Sequence, residues 1–195
     1  IRQGIREAEH GRLREEFQAH NQEIVTAKVS RVDPETKDAI VEIGKAQEPL
    51  FRSEQIPNET LLPGMLIKVY IAGVADAKEG RRGPRVTISR THPGLVKRLF
   101  ESEVPEIYDG TVEIKAVSRE AGSRTKIAVY SADENVDAVG ACIGPRGARV
   151  GKIVDMLYGE KIDIVKYSDD PKEFIAASLA PADVVSVTID ENAEK

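Results

Sequence analysis

A small all-β barrel followed by a compact α+β unit is the fold class that the sequence predicts, and three observations carry it. Between Glu23 and Arg90, short β-patterned runs are cut at close intervals by turn residues. From Thr91 onward, apolar residues at helical spacing alternate with strand-like runs. Within that second stretch, Gly144-Pro145-Arg146-Gly147 separates two helical runs instead of ending one.

Residues 1–22 are polar and charged, with Ile1, Ile5 and Ala8 on one side and Leu13 and Phe17 continuing an imperfect apolar stripe. This predicts a helix ending near His20 and Asn21, read as a linker from a preceding domain; a dimer surface is the other use of such a stripe. Ile1 stands where a full chain starts with methionine, so a segment of something longer is expected. Residues 23–90 read as five strands. EIVTAKVSRV passes through the turn DPETKD into AIVEIG, EPLFRS precedes the connection PNETLLPG, and MLIKVYIAGV and PRVTISR flank KEGRRG. Pro34 suits the first corner of a turn because its ring presets φ. Five strands in roughly 70 residues fit a small barrel, whose closure removes exposed edges.

Residues 91–168 change period. Leu95, Val96 and Leu99 supply a helical face, Pro93 fits a first turn, and Pro105 and Gly110 limit any continuation. Strands follow in TVEIKAVS and TKIAVYS, joined by the turn REAGSR. Val136, Val139 and Ile143 then have helical spacing, which resumes after the glycine loop as Val150, Ile153, Val154 and Leu157. KIDIVKY is the last strand, with Ile162 and Ile164 on one face. Residues 169–195 open with a short helix in DDPKEFIAASLAP, capped by Asp169 or Asp170 with Pro171 just inside. A strand in ADVVSVTID needs a partner, so a further domain is expected to begin here.

Composition narrows the function classes. The chain has 195 residues, 41% of them hydrophobic but only 5% aromatic, so aliphatic side chains fill the cores. Its one cysteine, Cys142, excludes an intrachain disulfide, fits a reducing compartment, and is expected to be small and buried. No run approaches a membrane span. The net charge of −5 is carried by residues 169–195, with seven acids against two bases, which leaves the preceding residues neutral. Arg81, Arg82, Arg85, Arg90, Lys97 and Arg98 form an acid-free basic stretch, and local field matters more to an anionic partner than net charge. His10, His20 and His92 are not spaced with Cys142 as a zinc site, and no nucleophile stands with a base. No cofactor, metal or enzymatic activity is expected.

The glycine loop is the chemistry-bearing motif. Gly144 and Gly147 permit positive φ and close approach of a ligand to the backbone, and Pro145 narrows the turn between them. Arg146, Arg149 and Lys152 recur every three residues beside the apolar stripe, a cationic edge suited to phosphates. GPRGARVGK lacks the Ser or Thr and the glycine spacing of a nucleotide-hydrolysing loop. A GxxG loop placed between two short helices, after two strands and before another, is the arrangement with which a KH unit clamps four backbone nucleotides.

The segments RSEQIP, RGPRVTISRTHPGLVKRLFESEVPEIYDGTVEIKAVSREAGSRTKIAV, VGACIGPRGARV and GEKIDIVKYSDDPKEFIAASLAPA closely resemble the NusA family of bacterial transcription factors over nearly the whole chain. The resemblance implies a multidomain chain. Residues 1–22 would be a linker helix, 23–90 an S1-motif domain of OB fold, 91–168 a type II KH domain, and 169–195 the truncated start of a second KH domain. It implies binding of single-stranded nascent RNA, contact with RNA polymerase and other elongation or antitermination factors, and effects on pausing, termination and antitermination in the cytoplasm. A monomer is expected. The RNA contacts implied are Gly144, Pro145, Arg146 and Gly147 in the loop and Arg149 and Lys152 behind it, with Arg85, Arg90 and His92 near the domain junction either binding RNA or fixing the two domains. Where RNA-binding S1 domains carry exposed aromatics, this chain has Ala39, Ile40 and Val41; Phe51 is the nearest aromatic, with a core role set against stacking. A weak barrel contribution follows. The competing expectation is a protein-docking scaffold whose basic stretch meets an acidic surface of polymerase or another elongation factor.

Overall fold

The computed structural model describes residues 2–75 and 85–179, with side chains from residue 11 onward. The chain divides into two compact units, Ile1–Leu99 and Phe100–Lys195. Arg81, Arg82 and the strand expected in ADVVSVTID lie outside the described residues.

The first unit opens with helix α1, Arg2–Ala19. Of its apolar stripe, Phe17 is buried in the core of the sheet that follows. Strands β1 (Ile24–Val32), β2 (Ala39–Ile43), β3 (Ala46–Leu50), β4 (Leu66–Ala75) and β5 (Arg85–Ser89) make one sheet in the order β3-β2-β1-β4-β5. All its pairs are antiparallel. The end strands β3 and β5 also approach one another, so the sheet curls into a nearly closed, OB-like barrel. Registers such as Val29↔Val41, Ala27↔Ile67 and Ile71↔Ile88 bring aliphatic partners to the same face, and all six side chains are buried.

Turn chemistry sets this register. The Asp33 carboxylate accepts hydrogen bonds from the Glu35 and Thr36 amides at 2.8 and 2.9 Å, closing the β1–β2 turn around Pro34. The same two amides, Thr36 first, hold the Asp33 carboxyl below the usual carboxylate range. Strand β3 stops earlier than EPLFRS suggests: Phe51 leads into a 3-10 turn, Arg52–Glu54. Its ring is 50% exposed, so the core role set against stacking does not hold for Phe51.

The unit boundary falls inside helix α2, Pro93–Glu103. Pro105 does not stop helicity outright. With Val104 buried ahead of it, Pro105 takes the first position of a four-residue helix α3, Pro105–Tyr108, where its missing N–H costs nothing. Strands β6 (Val112–Glu120), β7 (Arg124–Ser131) and β8 (Lys161–Lys166) form a second sheet in the order β6-β7-β8. β6 and β7 are an antiparallel hairpin, whereas β8 runs parallel to β7. Parallel pairing needs a crossover. Helices α4 (Ala138–Ile143) and α5 (Ala148–Met156) provide it and pack on the sheet. Helix α4 starts after Val136, so its stripe is shorter than the periodicity suggests. Helix α6, Pro171–Ser178, is capped by Asp170, which accepts from the Lys172 amide at 2.9 Å.

A buried ionic group anchors the sheet beside the α5–β8 turn. Glu160 accepts from Arg119 at 2.9 and 3.0 Å, from the Gly122 amide at 3.0 Å, and from the Thr125 hydroxyl. Burial raises the carboxyl's pKa, but the donors, Arg119 foremost, outweigh it and hold the group below its ordinary value.

Candidate nucleic-acid interface

The glycine loop is built by helix termination. Helix α4 ends when Gly144 takes φ 74°, ψ 172°, and its amide bonds back to the Gly140 carbonyl at 2.9 Å. Pro145–Gly147 form a single 3-10 turn in which Arg146 (φ 54°, ψ 27°) and Gly147 (φ 75°, ψ 15°) are both left-handed. Three of the four loop residues therefore have positive φ, a conformation that disfavours any side chain with a Cβ. Helix α5 starts directly after, so its unpaired N-terminal amides stand behind the loop.

The two glycines serve different ends. A Cβ on Gly144 would come within 2.6 Å of Arg149 Cγ, so the space it leaves is occupied by the chain's own arginine stem. A Cβ on Gly147 would meet nothing within 4 Å; there the left-handed backbone alone favours glycine, and the space in front is open to a ligand.

The cations behind the loop are engaged. The Arg149 guanidinium donates to Glu106 Oε2 at 2.8 Å and to the Ala141 carbonyl at 2.7 Å, near the end of α4. Lys152 Nζ lies 2.6 Å from Glu103 Oε2, yet the lysine side chain is 59% exposed and can exchange that partner for another anion. Arg146 is exposed and makes no ion pair among the described residues. Glu103 and Glu106 were not singled out from sequence; the cue is ESEVPE, three acids directly after the basic stretch.

Cys142 is fully buried under the loop, as its apolar neighbours imply. Burial first, and the Glu106 charge second, push its thiol up to about 12, so it holds its proton and is inert as a nucleophile.

The remaining predicted contacts belong to the first unit, and burial redistributes them. Arg90 is 2% exposed: Nε donates to Glu59 Oε2 at 2.8 Å, and Nη1 to the Lys68 carbonyl at 2.5 Å. Its charge is spent inside the barrel, which corrects the expectation of an RNA contact at Arg90. His92 is exposed, stacks on Tyr70 with ring centroids 4.6 Å apart, and accepts from the Gly94 amide through Nδ1 at 2.9 Å, capping α2. Arg85 is exposed at the start of β5.

The family description "NusA-like first KH domain" matches residues 90–167, a span that contains the loop and both flanking helices. The transcription termination/antitermination protein NusA of Bacillus subtilis is 51% identical over 191 residues, covering 98% of this chain and 50% of that protein. The chain belongs to the NusA family. The NusA proteins of Thermus thermophilus and Mycobacterium tuberculosis, 43% and 47% identical, are matched over 100% and 96% of the chain. The chain spans about half the length of the curated relatives it matches. Within the NusA pattern, the OB-like barrel and the α+β unit with a glycine loop are the two folds expected from sequence. Among the described residues, no helix is long and apolar enough to cross a membrane.

Proposed function

We propose that this chain binds single-stranded RNA through the Gly144–Gly147 loop, and that it does so as a non-catalytic transcription factor acting on RNA polymerase at pauses and at sites of termination and antitermination. Its NusA relatives, transcription termination/antitermination proteins, support the transcriptional setting. The observation that carries the RNA contact is the loop itself, with three positive-φ residues, open space in front of Gly147 and an exposed Arg146 at the head of α5.

In this proposal a phosphate sits against the loop and the first amides of α5, drawn by Arg146 and by Lys152 as it releases Glu103. Bases enter the aliphatic groove beside Ile143, Val150, Ile162 and Ile164, all at least partly exposed. Domain limits of 1–22, 23–90, 91–168 and 169–195 accompany the proposal: linker helix, S1-motif barrel, type II KH unit and the start of a second. Arg85 and His92 remain candidate contacts on the first unit, and nascent RNA, polymerase and other elongation factors are the partners.

The test is replacement of Pro145 and Arg146 together by aspartate. Circular dichroism is expected to show an intact fold, and fluorescence anisotropy with a short single-stranded RNA a large loss of affinity. Unchanged affinity in a folded variant refutes the loop as the binding site.

A further inference from the structure

Arg149 follows the loop at the position where a second phosphate contact is expected, but its surroundings describe another task. Its Cγ fills the space that a Cβ on Gly144 would need, at 2.6 Å, so the arginine stem underlies the first loop residue. The guanidinium then reaches back to the Ala141 carbonyl at 2.7 Å and across to Glu106 at 2.8 Å. The Ala141 carbonyl is one of the last in α4, a group that helix geometry leaves without an intrahelical donor. One side chain therefore ties the end of α4, the bend at Gly144 and the start of α5 to helix α3.

Its charge is already met by a carboxylate, and its Nη1 is turned to the Ala141 carbonyl and Glu106, on a side chain only 27% exposed. Arg146 differs in both respects, being exposed and making no ion pair among the described residues. Lys152 also differs, since its pair with Glu103 involves a lysine that is mostly in solvent. Three cations spaced every three residues thus have three different environments.

We propose that Arg149 is a positioning residue of the RNA interface, one that holds the glycine loop in its left-handed bend through Ala141 and Glu106 without itself contacting phosphate. The proposal rests on the RNA-binding reading given above. It has a consequence for salt dependence. Each phosphate contact releases counterions, so losing one lowers the slope of log affinity against log salt by about 0.7 for a single strand. Losing a positioning residue weakens binding and leaves that slope unchanged.

The experiment uses the 195-residue chain, a fluorescein-labelled single-stranded RNA and a potassium chloride series, with amide chemical shifts recorded on the free protein. Arg146→Gln is expected to lower the slope by about 0.7. Arg149→Gln is expected to weaken binding roughly tenfold, as for one lost charge-assisted hydrogen bond, at unchanged slope. It also shifts the free-state amides of residues 144–147. Arg149→Lys, which can still reach one acceptor, recovers part of the affinity. Glu106→Gln, which releases the guanidinium, does not strengthen binding beyond Glu103→Gln. The proposal is overturned if Arg149→Gln lowers the slope as Arg146→Gln does, if the free-state loop amides stay unmoved, if lysine restores nothing, or if Glu106→Gln alone tightens binding. If the unsubstituted chain binds no RNA, the RNA reading itself fails and the role assigned to Arg149 falls with it, even though the loop amides still shift.

Discussion

Arg90 in the first unit and Arg146 in the second are treated in opposite ways. In the barrel, the basic stretch contributes Arg90 to the interior, where Glu59 and the Lys68 carbonyl absorb its donors. In the α+β unit, Arg146 stands in solvent on a strained left-handed backbone while Arg149 and Lys152 are matched by glutamates. Arginines that look alike in sequence are therefore a core strut at Arg90, as at the buried Arg119, and an exposed cation at Arg146. Counting basic residues overstates the charge available to an anion; burial and local carboxylates decide how much remains.

The largest effect that would break this comparison is at the strut. Arg90→Ala leaves Glu59 buried without its partner, and a loss of about 3–5 kcal/mol is expected in urea unfolding. A loss below about 1 kcal/mol, the range of an exposed pair, would remove the distinction between Arg90 and the exposed cations.

Next come the glycines. Gly147→Ala introduces a Cβ into open space at positive φ, and should cost about 1–2 kcal/mol by urea unfolding. Gly144→Ala adds a collision with the Arg149 stem to the larger backbone penalty of φ 74°, ψ 172°, a region essentially confined to glycine, and should cost more. Equal losses would mean that Arg149 does not underlie the loop.

A smaller effect is expected from pH. Glu160 has a lowered carboxyl pKa when folded, so its contribution is fully present above the ordinary carboxylate pKa of about 4.3 and is lost as pH falls through the folded value. Stability measured from about pH 6 down to about pH 3 should therefore fall more steeply for the unsubstituted chain than for Glu160→Gln, in which that titration is gone. Parallel profiles would show that the Arg119–Glu160 group does not sense pH. Smallest of all, Lys152→Ala removes an exposed pair with Glu103 and should change stability by less than about 1 kcal/mol, while still weakening RNA binding.

Much of the fold was legible in sequence because its signals are local. Alternation in EIVTAKVSRV and AIVEIG, the Asp33-Pro34 turn and the Asp170-Pro171 cap each depend on neighbours a few residues apart, and each appears where expected. Errors arose where local cues compete. Pro105 limits α2 as expected and also opens the next helix, whereas the strand predicted through Phe51 gives way to a turn that leaves the residue half in solvent. The loop was legible as well, since glycine at 144 and 147 reflects backbone conformation.

What sequence by itself determined is the order of elements, the glycine bend between two helices and the presence of cations around it. Only the tertiary structure decided which cations remain available. Glu59 is 31 residues from Arg90, Glu160 is 41 from Arg119, Glu106 is 43 from Arg149 and Glu103 is 49 from Lys152. Propensity and periodicity act over a few residues, whereas an ion pair depends on distance in space, and folding alone brings such distant partners within 3 Å.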